Sequence, residues 1–115
     1  MFVKAQDAGE YTSLIEGINI VSLVHGERTL MAKFSLAAGS NLPLHSHPHE
    51  QTGYLLSGRM RFTIDGSVFE AEPGDSWTIA GDVVHGAEVV EDALVIEVFS
   101  PVREDYLPEN LRKKG

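Results

Sequence analysis

The chain has 115 residues, a formal net charge of −8 at pH 7 and no cysteine, which excludes disulfide bonds and thiol chemistry. A protein that binds nucleic acid or an anionic membrane needs a basic surface, and this acidic sequence offers none, so we predict that it binds neither. With 43% hydrophobic residues, 11 glycines and 5 prolines, the composition is that of a globular protein rich in turns, and the length fits a single domain of residues 1–115.

No apolar run approaches the roughly 18 residues of a membrane span, and the first residues lack a basic segment followed by an apolar one. We therefore expect a cytoplasmic protein. The first 17 residues carry weak signals and fit an edge strand or a lead-in. Two β-rich runs, residues 18–24 and 29–36, flank a turn at 25–28 and predict a hairpin. In the second run one face is apolar and should be buried: Leu30, Ala32, Phe34 and Leu36.

Asp65-Gly66 is the strongest hairpin signal in the chain, with β-rich residues 59–64 before it and 67–72 after it. A two-residue loop there places apolar side chains opposite apolar ones and opposite charges across from each other, and each such pair is worth roughly 0.2 to 1 kcal/mol. The predicted pairs are Phe62 with Phe69, Met60 with Ala71, Arg61 with Glu70, and Arg59 with Glu72.

Turns at 73–75 and 81–82 bound a short predicted strand at 76–79. A further hairpin is predicted from residues 83–90 and 93–99 around Glu91-Asp92. Pro101 and Pro108 interrupt regular structure, although residues 109–114 fit a helical turn. The pattern predicts an all-β protein, a sandwich or barrel with its body at about 18–100 and an irregular tail at 101–115.

The stretch from residue 39 to residue 58 carries the strongest functional signal. Along an extended segment His45 and His47 face the same side, so two imidazoles can reach one cation. Gln51 follows with an amide oxygen, and His85 lies on a separate apolar stretch. We predict that His45, His47, Gln51 and His85 bind one divalent metal ion, with Glu50 as the alternative to Gln51. These donors accept Zn, Ni, Co, Mn or Fe.

Glu97 is the most informative acid, because it lies inside the apolar run 94–99. A carboxylate there is costly to bury unless it is paired, hydrated or functional. Alternation places it on one face with Val95 and Phe99. If that face lines the mouth of a barrel, Glu97 reaches the metal pocket; the alternative is an exposed edge position. Among the other candidates, His49 is interpreted as a residue of the pocket rim or one that supports a metal ligand, and Trp77 and Phe62 as core.

These residues resemble the cupin superfamily, whose fold is a double-stranded β-helix or jelly-roll barrel. Its first motif reads Gly, five residues, His-x-His, three or four residues, Glu, six residues, Gly. Gly39, His45, His47 and Gly58 fall on that spacing, with Gln51 where glutamate is usual.

The second motif reads Gly, five residues, Pro-x-Gly, two residues, His, three residues, Asn. Gly74 and His85 match it, whereas Ala80, Asp82 and Val89 replace the proline, the second glycine and the asparagine. Together the two motifs cover residues 39–89.

Residues 45–51, 73–77, 85–87 and 98–107 are similar to the KdgF group of pectin-degradation cupins. The resemblance implies three histidines and a glutamine as metal ligands, and an activity that opens the unsaturated uronate monosaccharides left by polysaccharide lyases. An aspartate, a phenylalanine and an arginine take part in the chemistry of that group. This implies catalytic roles for Phe99 and Arg103, with Glu97 in the place of the aspartate.

The same resemblance implies a sugar acid as the small-molecule partner. It also implies a homodimer, which a strand apolar on both sides at 94–99 would suit. Two other functions stay open on the same barrel. One is a different metalloenzyme, such as an iron dioxygenase, and the other is a sugar-binding or sensor cupin without catalysis.

Overall fold

The computed structural model describes residues 1–107, and the helical turn predicted at 109–114 lies outside them. The described residues form eight β-strands and two 3₁₀ helices, at Ala5–Asp7 and Glu104–Tyr106. The strands are β1 (Thr12–Ile15), β2 (Ile18–His25), β3 (Leu30–Leu36), β4 (Asn41–His45), β5 (Glu50–Ile64), β6 (Ser67–Ala71), β7 (Ser76–Ile79) and β8 (His85–Ser100). No helix in residues 1–107 is both long enough and apolar enough to cross a membrane.

The two longest strands, β5 and β8, form the frame of the molecule. They pair antiparallel from Glu50 opposite Ser100 to Ile64 opposite His85. The second half of β8 also pairs with β3, and its first half pairs with β4. On the other side, β5 pairs with β7 through its first residues and with β6 through its last. The frame therefore joins the described strands into one eight-stranded sheet, consistent with a jelly roll, and the predicted all-β class is confirmed.

Strand β8 curls around the molecule and does not run straight. His85 and Phe99 are 14 residues apart, which in a straight strand means roughly 46 Å at 3.3 Å per residue. Yet the rings of both residues lie near His47, at 4.9 Å for His85 and 6.2 Å for Phe99 between centroids. The two ends of one strand thus meet at one place.

The hairpin predicted around Glu91-Asp92 is wrong, because β8 continues through both residues. Opposite them β5 has a series of register shifts, and Gly58 there has a φ of 90°. A Cβ on Gly58 would lie 2.2 Å from the Asp92 carbonyl oxygen, so only glycine permits this approach. The Asp92 side chain accepts the Ala38 N–H at 2.8 Å. The polar pair therefore marks a bulged bend and not a turn.

The other predicted hairpins are confirmed. Strands β2 and β3 pair around a turn closed by a hydrogen bond from the Gly26 N–H to the Thr29 carbonyl, 2.8 Å long. Asp65 and Gly66 both have positive φ, at 49° and 81°, as a two-residue hairpin loop requires. The register that follows has the predicted pairs 60–71, 61–70 and 62–69, while Arg59 and Glu72 approach to 4.0 Å just beyond the paired residues.

The core fills the inside of the sheet. The predicted inner face of β3 is buried throughout, and it packs with Leu55 and Met60 of β5 and Val95 of β8. Strand β1 is exposed along its whole length and pairs only with β2 among the described strands, as expected for an edge strand. The interior is thus apolar, which makes the few buried polar side chains stand out: Gln51, His85 and Glu97.

Candidate metal centre

Three histidines converge where the ends of the frame meet. Their candidate ligand atoms lie within 4.8 Å of one another. His45 is the last residue of β4, and its register partner is His85, the first residue of β8. The two rings are 4.4 Å apart between centroids. A triad of imidazoles at this separation could hold a metal ion.

His47 joins the triad by a different route from the one predicted. Strand β4 ends at His45, so strand alternation does not extend to His47. Instead the loop 46–49 is tied to the next turn, since the His47 carbonyl accepts the Asp82 N–H at 2.7 Å. Asp82 has a φ of 67°, a conformation that aspartate tolerates better than most residues, at the position where the cupin motif has glycine.

Each of the three imidazoles is held by a backbone carbonyl two residues away. The Nδ1 atoms of His45, His47 and His85 lie 2.8, 2.9 and 2.8 Å from the carbonyl oxygens of residues 43, 49 and 83. A carbonyl only accepts, so each Nδ1 carries the proton and each Nε2 keeps a lone pair. Histidines that ligate metals are commonly fixed in this way.

Burial favours the neutral, ligating form of two of these histidines. It lowers the pKa of His47, with Arg103 and His85 acting in the same direction, and it lowers the pKa of His85. Neutral imidazole is the form that binds a cation. The buried ring of His85 and the half-buried ring of His47 are thus prepared for a ligand that supplies positive charge.

Gln51 supplies a fourth donor at the same place. Its side chain is 7% exposed, whereas neighbouring Glu50 faces solvent. The Gln51 Oε1 lies 2.8 Å from His47 Nε2. With Nδ1 of His47 donating to a carbonyl, neutral His47 presents a lone pair to an amide oxygen, and two acceptors repel at this distance. A divalent cation relieves that conflict, so the donor set fits a metal. We name His45, His47, His85 and Gln51 the histidine cluster.

Glu97 belongs to a second arrangement that crosses three strands. In the register, Trp77 of β7 faces Gly53 of β5, which faces Glu97 of β8. A Cβ on Gly53 would lie 2.3 Å from the Trp77 ring, so the missing side chain lets the indole lie across β5. The indole Nε1 then donates to Glu97 Oε1 at 3.0 Å. We name Trp77, Gly53 and Glu97 the Glu97 row.

The Glu97 carboxyl is buried, with 6% of the residue exposed. Burial raises its pKa to about 7, against the opposing effect of hydrogen bonds from Trp77 and from the Gln51 side chain. Its Oε2 has no partner within hydrogen-bonding distance among residues 1–107. The predicted inward face of Val95, Glu97 and Phe99 is therefore observed, and one oxygen remains available to a ligand.

Arg103 lies over the aromatic rings beside the cluster. Its guanidinium carbon is 3.9 Å from the Tyr106 ring centroid and 5.2 Å from that of Phe99. Asp105 accepts from Nε at 3.3 Å and from Nη2 at 2.8 Å. The Arg103 side chain is only 14% exposed. It is thus fixed by two rings and a carboxylate in a segment predicted to be irregular.

These groups line one cavity of about 60 Å³. Its polar wall contains His45, Gln51, His85, Glu97 and Arg103, and the rest is mostly apolar and includes Phe99 and Tyr106. The structure therefore brings together the side chains that the sequence analysis selected, with His47 beside Phe99 at the margin. The backbone of His49 supports His47, and its ring Nδ1 is buried without a partner among the described residues.

Sequence reasoning missed two contributors. Trp77 packs on Phe62, with centroids 4.4 Å apart, as a core residue should, but its N–H serves Glu97. Tyr106 stacks edge to face on Phe99 and lies under Arg103, and Ser22 of β2 donates to its carbonyl. The glycine at 53 was the available signal for the first, since a glycine inside a strand indicates close approach. No comparable signal marks Tyr106.

Known proteins share this arrangement of strands. A structure of KdgF from Halomonas sp. superposes with a TM-score of 0.86 at 28% identity, covering 93% of this chain and 98% of that one. An RmlC-like cupin from Shewanella frigidimarina NCIMB 400 gives 0.86 at 26% identity over 92% and 95%. A predicted oxalate decarboxylase from Thermotoga maritima shares the fold, with a TM-score of 0.72 at 22% identity over 88% and 99%.

A comparison with curated proteins returned no match. The sequence model of the Cupin domain family matches residues 32–100, which is more than half of the chain and includes the histidine cluster and the Glu97 row. The protein is therefore a member of the cupin family, and it resembles KdgF in structure.

Proposed function

We propose that this cupin is a metal-dependent enzyme that opens 4,5-unsaturated uronate monosaccharides to the linear keto-deoxyuronate. The observation that carries the proposal is the buried carboxyl of Glu97, with one unpartnered oxygen, in the same cavity as the histidine cluster and Arg103. The structural likeness to KdgF over nearly both chains supports it.

His45, His47, Gln51 and His85 would hold the ion. All four donors are neutral, so a divalent ion bound to them keeps its full charge and serves as a Lewis acid that polarises oxygens of the sugar acid. The fixed Nδ1 protons keep the three Nε2 lone pairs directed to one place.

Arg103 binds the carboxylate of the substrate. Asp105 takes the edge of the guanidinium that carries Nε and Nη2, which leaves the edge carrying Nη1 and Nη2 for a second carboxylate. A guanidinium can hold a carboxylate through two parallel N–H bonds. The rings of Phe99 and Tyr106 fix its plane, and Phe99 shapes the pocket against the sugar ring.

The reaction is an isomerisation in which atoms balance without a co-reactant. The hydroxyl on C1 loses its proton, the bond between C1 and the ring oxygen breaks, and C1 becomes the aldehyde. The electron pair leaves an enol at C5, which becomes a ketone when C4 gains a proton. Glu97 would carry the proton between these positions, a role supported by its side chain lining the cavity while its Oε1 accepts from Trp77.

The outer face of the frame supports a homodimer. Tyr54 and Leu56 of β5 are 46% and 43% exposed, and beside them on β8 lie half-buried Leu94, Ile96 and Val98. A second copy of the chain would cover this apolar surface. Sedimentation velocity of the protein and of its Leu56→Lys variant tests this: we expect a dimer that the variant dissociates, and a monomeric unmodified protein would refute it.

The activity test follows the ultraviolet absorbance of the conjugated double bond in unsaturated galacturonate. We expect loss of absorbance faster than the spontaneous reaction, abolished by a chelator and restored by a divalent metal. A metal-loaded protein that gives no acceleration would refute the ring-opening proposal. Tight, metal-dependent sugar binding without turnover would then indicate a sensor, and oxygen consumption with Fe(II) would indicate a dioxygenase.

A further inference from the structure

The side chain of Gln51 has two chemically different ends, and only one of them suits a cation. Its oxygen can donate a lone pair, whereas its NH₂ group carries two protons and repels a positive ion. The two ends occupy nearly the same volume, so packing alone does not distinguish the two orientations. A hydrogen-bonding neighbour on the side opposite the histidines must select one.

Glu97 is the buried acceptor beside Gln51 on the inner face. Glu97 faces Gly53 and Phe99 faces Gln51 in the register, so Gln51 and Glu97 lie diagonally on neighbouring strands, both buried on the inner face. Burial raises the pKa of the Glu97 carboxyl to about 7, and the nearby Gln51 side chain, like Trp77, opposes that rise. A carboxylate accepts hydrogen bonds, so it attracts the NH₂ end and leaves the oxygen 2.8 Å from His47 Nε2.

Trp77 in turn fixes the carboxyl. Its indole N–H donates to Glu97 Oε1 at 3.0 Å, and an indole can donate but not accept. The position of the ring depends on Gly53, where a Cβ would lie within 2.5 Å of three ring atoms. Phe62 packs against the ring as well. The chain of neighbours thus runs from Trp77 to Glu97 to Gln51 and ends at His47.

We propose that Trp77 and Glu97 are positioning residues of the metal centre, which hold the Gln51 amide with its oxygen toward the ion. The inference rests on the metal site of the proposed function and is independent of which substrate the enzyme takes. It assigns Trp77 a role in metal affinity although Trp77 is not among the predicted ligands. It also gives Glu97 a role separate from proton transfer.

The test is the affinity of the chelator-treated full-length protein for Zn²⁺ and for Ni²⁺, measured by calorimetry. Glu97→Met removes the acceptor at similar size, and we expect affinity to fall about tenfold to a hundredfold, as for other residues that orient ligands. Trp77→Phe keeps a ring but removes the N–H, and we expect a loss of about threefold to tenfold.

Two variants serve as matched controls. Glu97→Gln keeps a carbonyl oxygen that can accept from both Trp77 and Gln51, so its affinity should stay within about twofold of the unmodified protein. Phe62→Leu disturbs the packing of the Trp77 ring but leaves its N–H in place, and it should also stay within about twofold. Unchanged affinity in both Glu97→Met and Trp77→Phe would overturn the proposal, as would an unmodified protein that binds neither ion.

A second measurement does not depend on metal. The chain contains one tryptophan, so its ¹⁵N spectrum has one indole N–H signal. We expect that signal, and the side-chain amide signals of Gln51, to shift in Glu97→Met, because the indole loses its acceptor and the amide loses the carboxyl beside it. Signals that do not move would contradict the contacts themselves. If the affinities follow expectation while unsaturated uronates are not consumed, the substrate proposal fails and the positioning roles stand.

Discussion

The histidine cluster and the Glu97 row share strands β5 and β8, and burial shifts the pKa values of their groups in opposite directions. In the cluster, removal from water lowers the pKa of His47 and His85. In the row, it raises the pKa of Glu97 to about 7. Both shifts favour the uncharged form, because a low-dielectric interior penalises either sign of charge. Bases kept neutral can bind a cation, while an acid of this kind can exchange a proton beside it.

The two regions also differ in how they are supported. The imidazoles are held by carbonyls only two residues away along the chain, so their support is local. The carboxyl of Glu97 depends on a ring from β7 and on a glycine in β5. A variant of the row that keeps a hydrogen-bond acceptor but cannot carry a proton therefore separates metal binding from chemistry.

The largest expected effect is on turnover in Glu97→Gln. The amide cannot carry the proton, so kcat should fall about a thousandfold, within the range for a lost general acid or base. Metal affinity should remain near that of the unmodified protein. Steady-state kinetics with metal-saturated enzyme measure this. Retained turnover would remove Glu97 from the chemistry and leave it only its positioning role.

Gly53→Ala tests the support of the row. The added Cβ overlaps the rigid Trp77 ring at 2.3 Å, and such overpacking costs about 2 kcal/mol of unfolding free energy. Urea denaturation measures it. Gly26→Ala is the matched control, since nothing lies within 4 Å of a Cβ there, and it should leave stability nearly unchanged. Equal stability of the two variants would show that the Trp77 ring is not held against Gly53.

Arg103→Met tests substrate binding without replacing a residue of either region. Methionine keeps apolar contact with Phe99 and Tyr106 but loses the charged donors, and lost hydrogen bonds to a charged group are worth about 1.5 to 3 kcal/mol. We expect KM to rise about tenfold or more in metal-saturated enzyme, with metal affinity no weaker, because a positive charge that acts on His47 is removed. An unaltered KM for the uronate would assign the carboxylate to another group.

Asp105→Ala should have the smallest effect. In this variant the guanidinium loses the carboxylate that accepts from Nε and Nη2. The rings of Phe99 and Tyr106 still orient it, so we expect KM to rise about threefold with kcat nearly constant. A large fall in kcat would instead place Asp105 closer to the reacting atoms. Comparing this variant with Arg103→Met separates the effect of orienting the guanidinium from the effect of the guanidinium itself on substrate binding.

Much of the cluster could be predicted from sequence because its signal is local. His45, His47 and Gln51 lie within seven residues, and the Asp65-Gly66 loop sets the register of its hairpin by itself. Glu97 was recognised because a charged residue interrupts an apolar strand. What failed was the reading of Glu91-Asp92 as a turn. These two residues form a bulged bend and not a turn because of the opposite strand, where Gly58 allows the close approach of the Asp92 backbone.

The missed residues share one property, which is that their roles depend on pairing distant in sequence. Trp77 lies 20 residues from Glu97 and meets it only because both flank Gly53. Tyr106 lies in a short 3₁₀ helix that returns over the barrel, and it contacts Phe34 of β3 as well as Phe99. Composition and periodicity describe one segment at a time, so they cannot predict contacts between residues that are distant in sequence.

Because the two ends of β8 meet at the metal centre, the complete set of metal ligands exists only in the folded protein. No short peptide cut from this chain contains the complete donor set, because His85 joins the others only when the sheet has closed. An ion bound across this junction favours the folded form alone, adding about 2.7 kcal/mol when the free ion exceeds Kd a hundredfold. Contacts this distant along the chain form late and slowly. Loss of the ion should therefore speed unfolding of the whole barrel and also abolish the proposed activity.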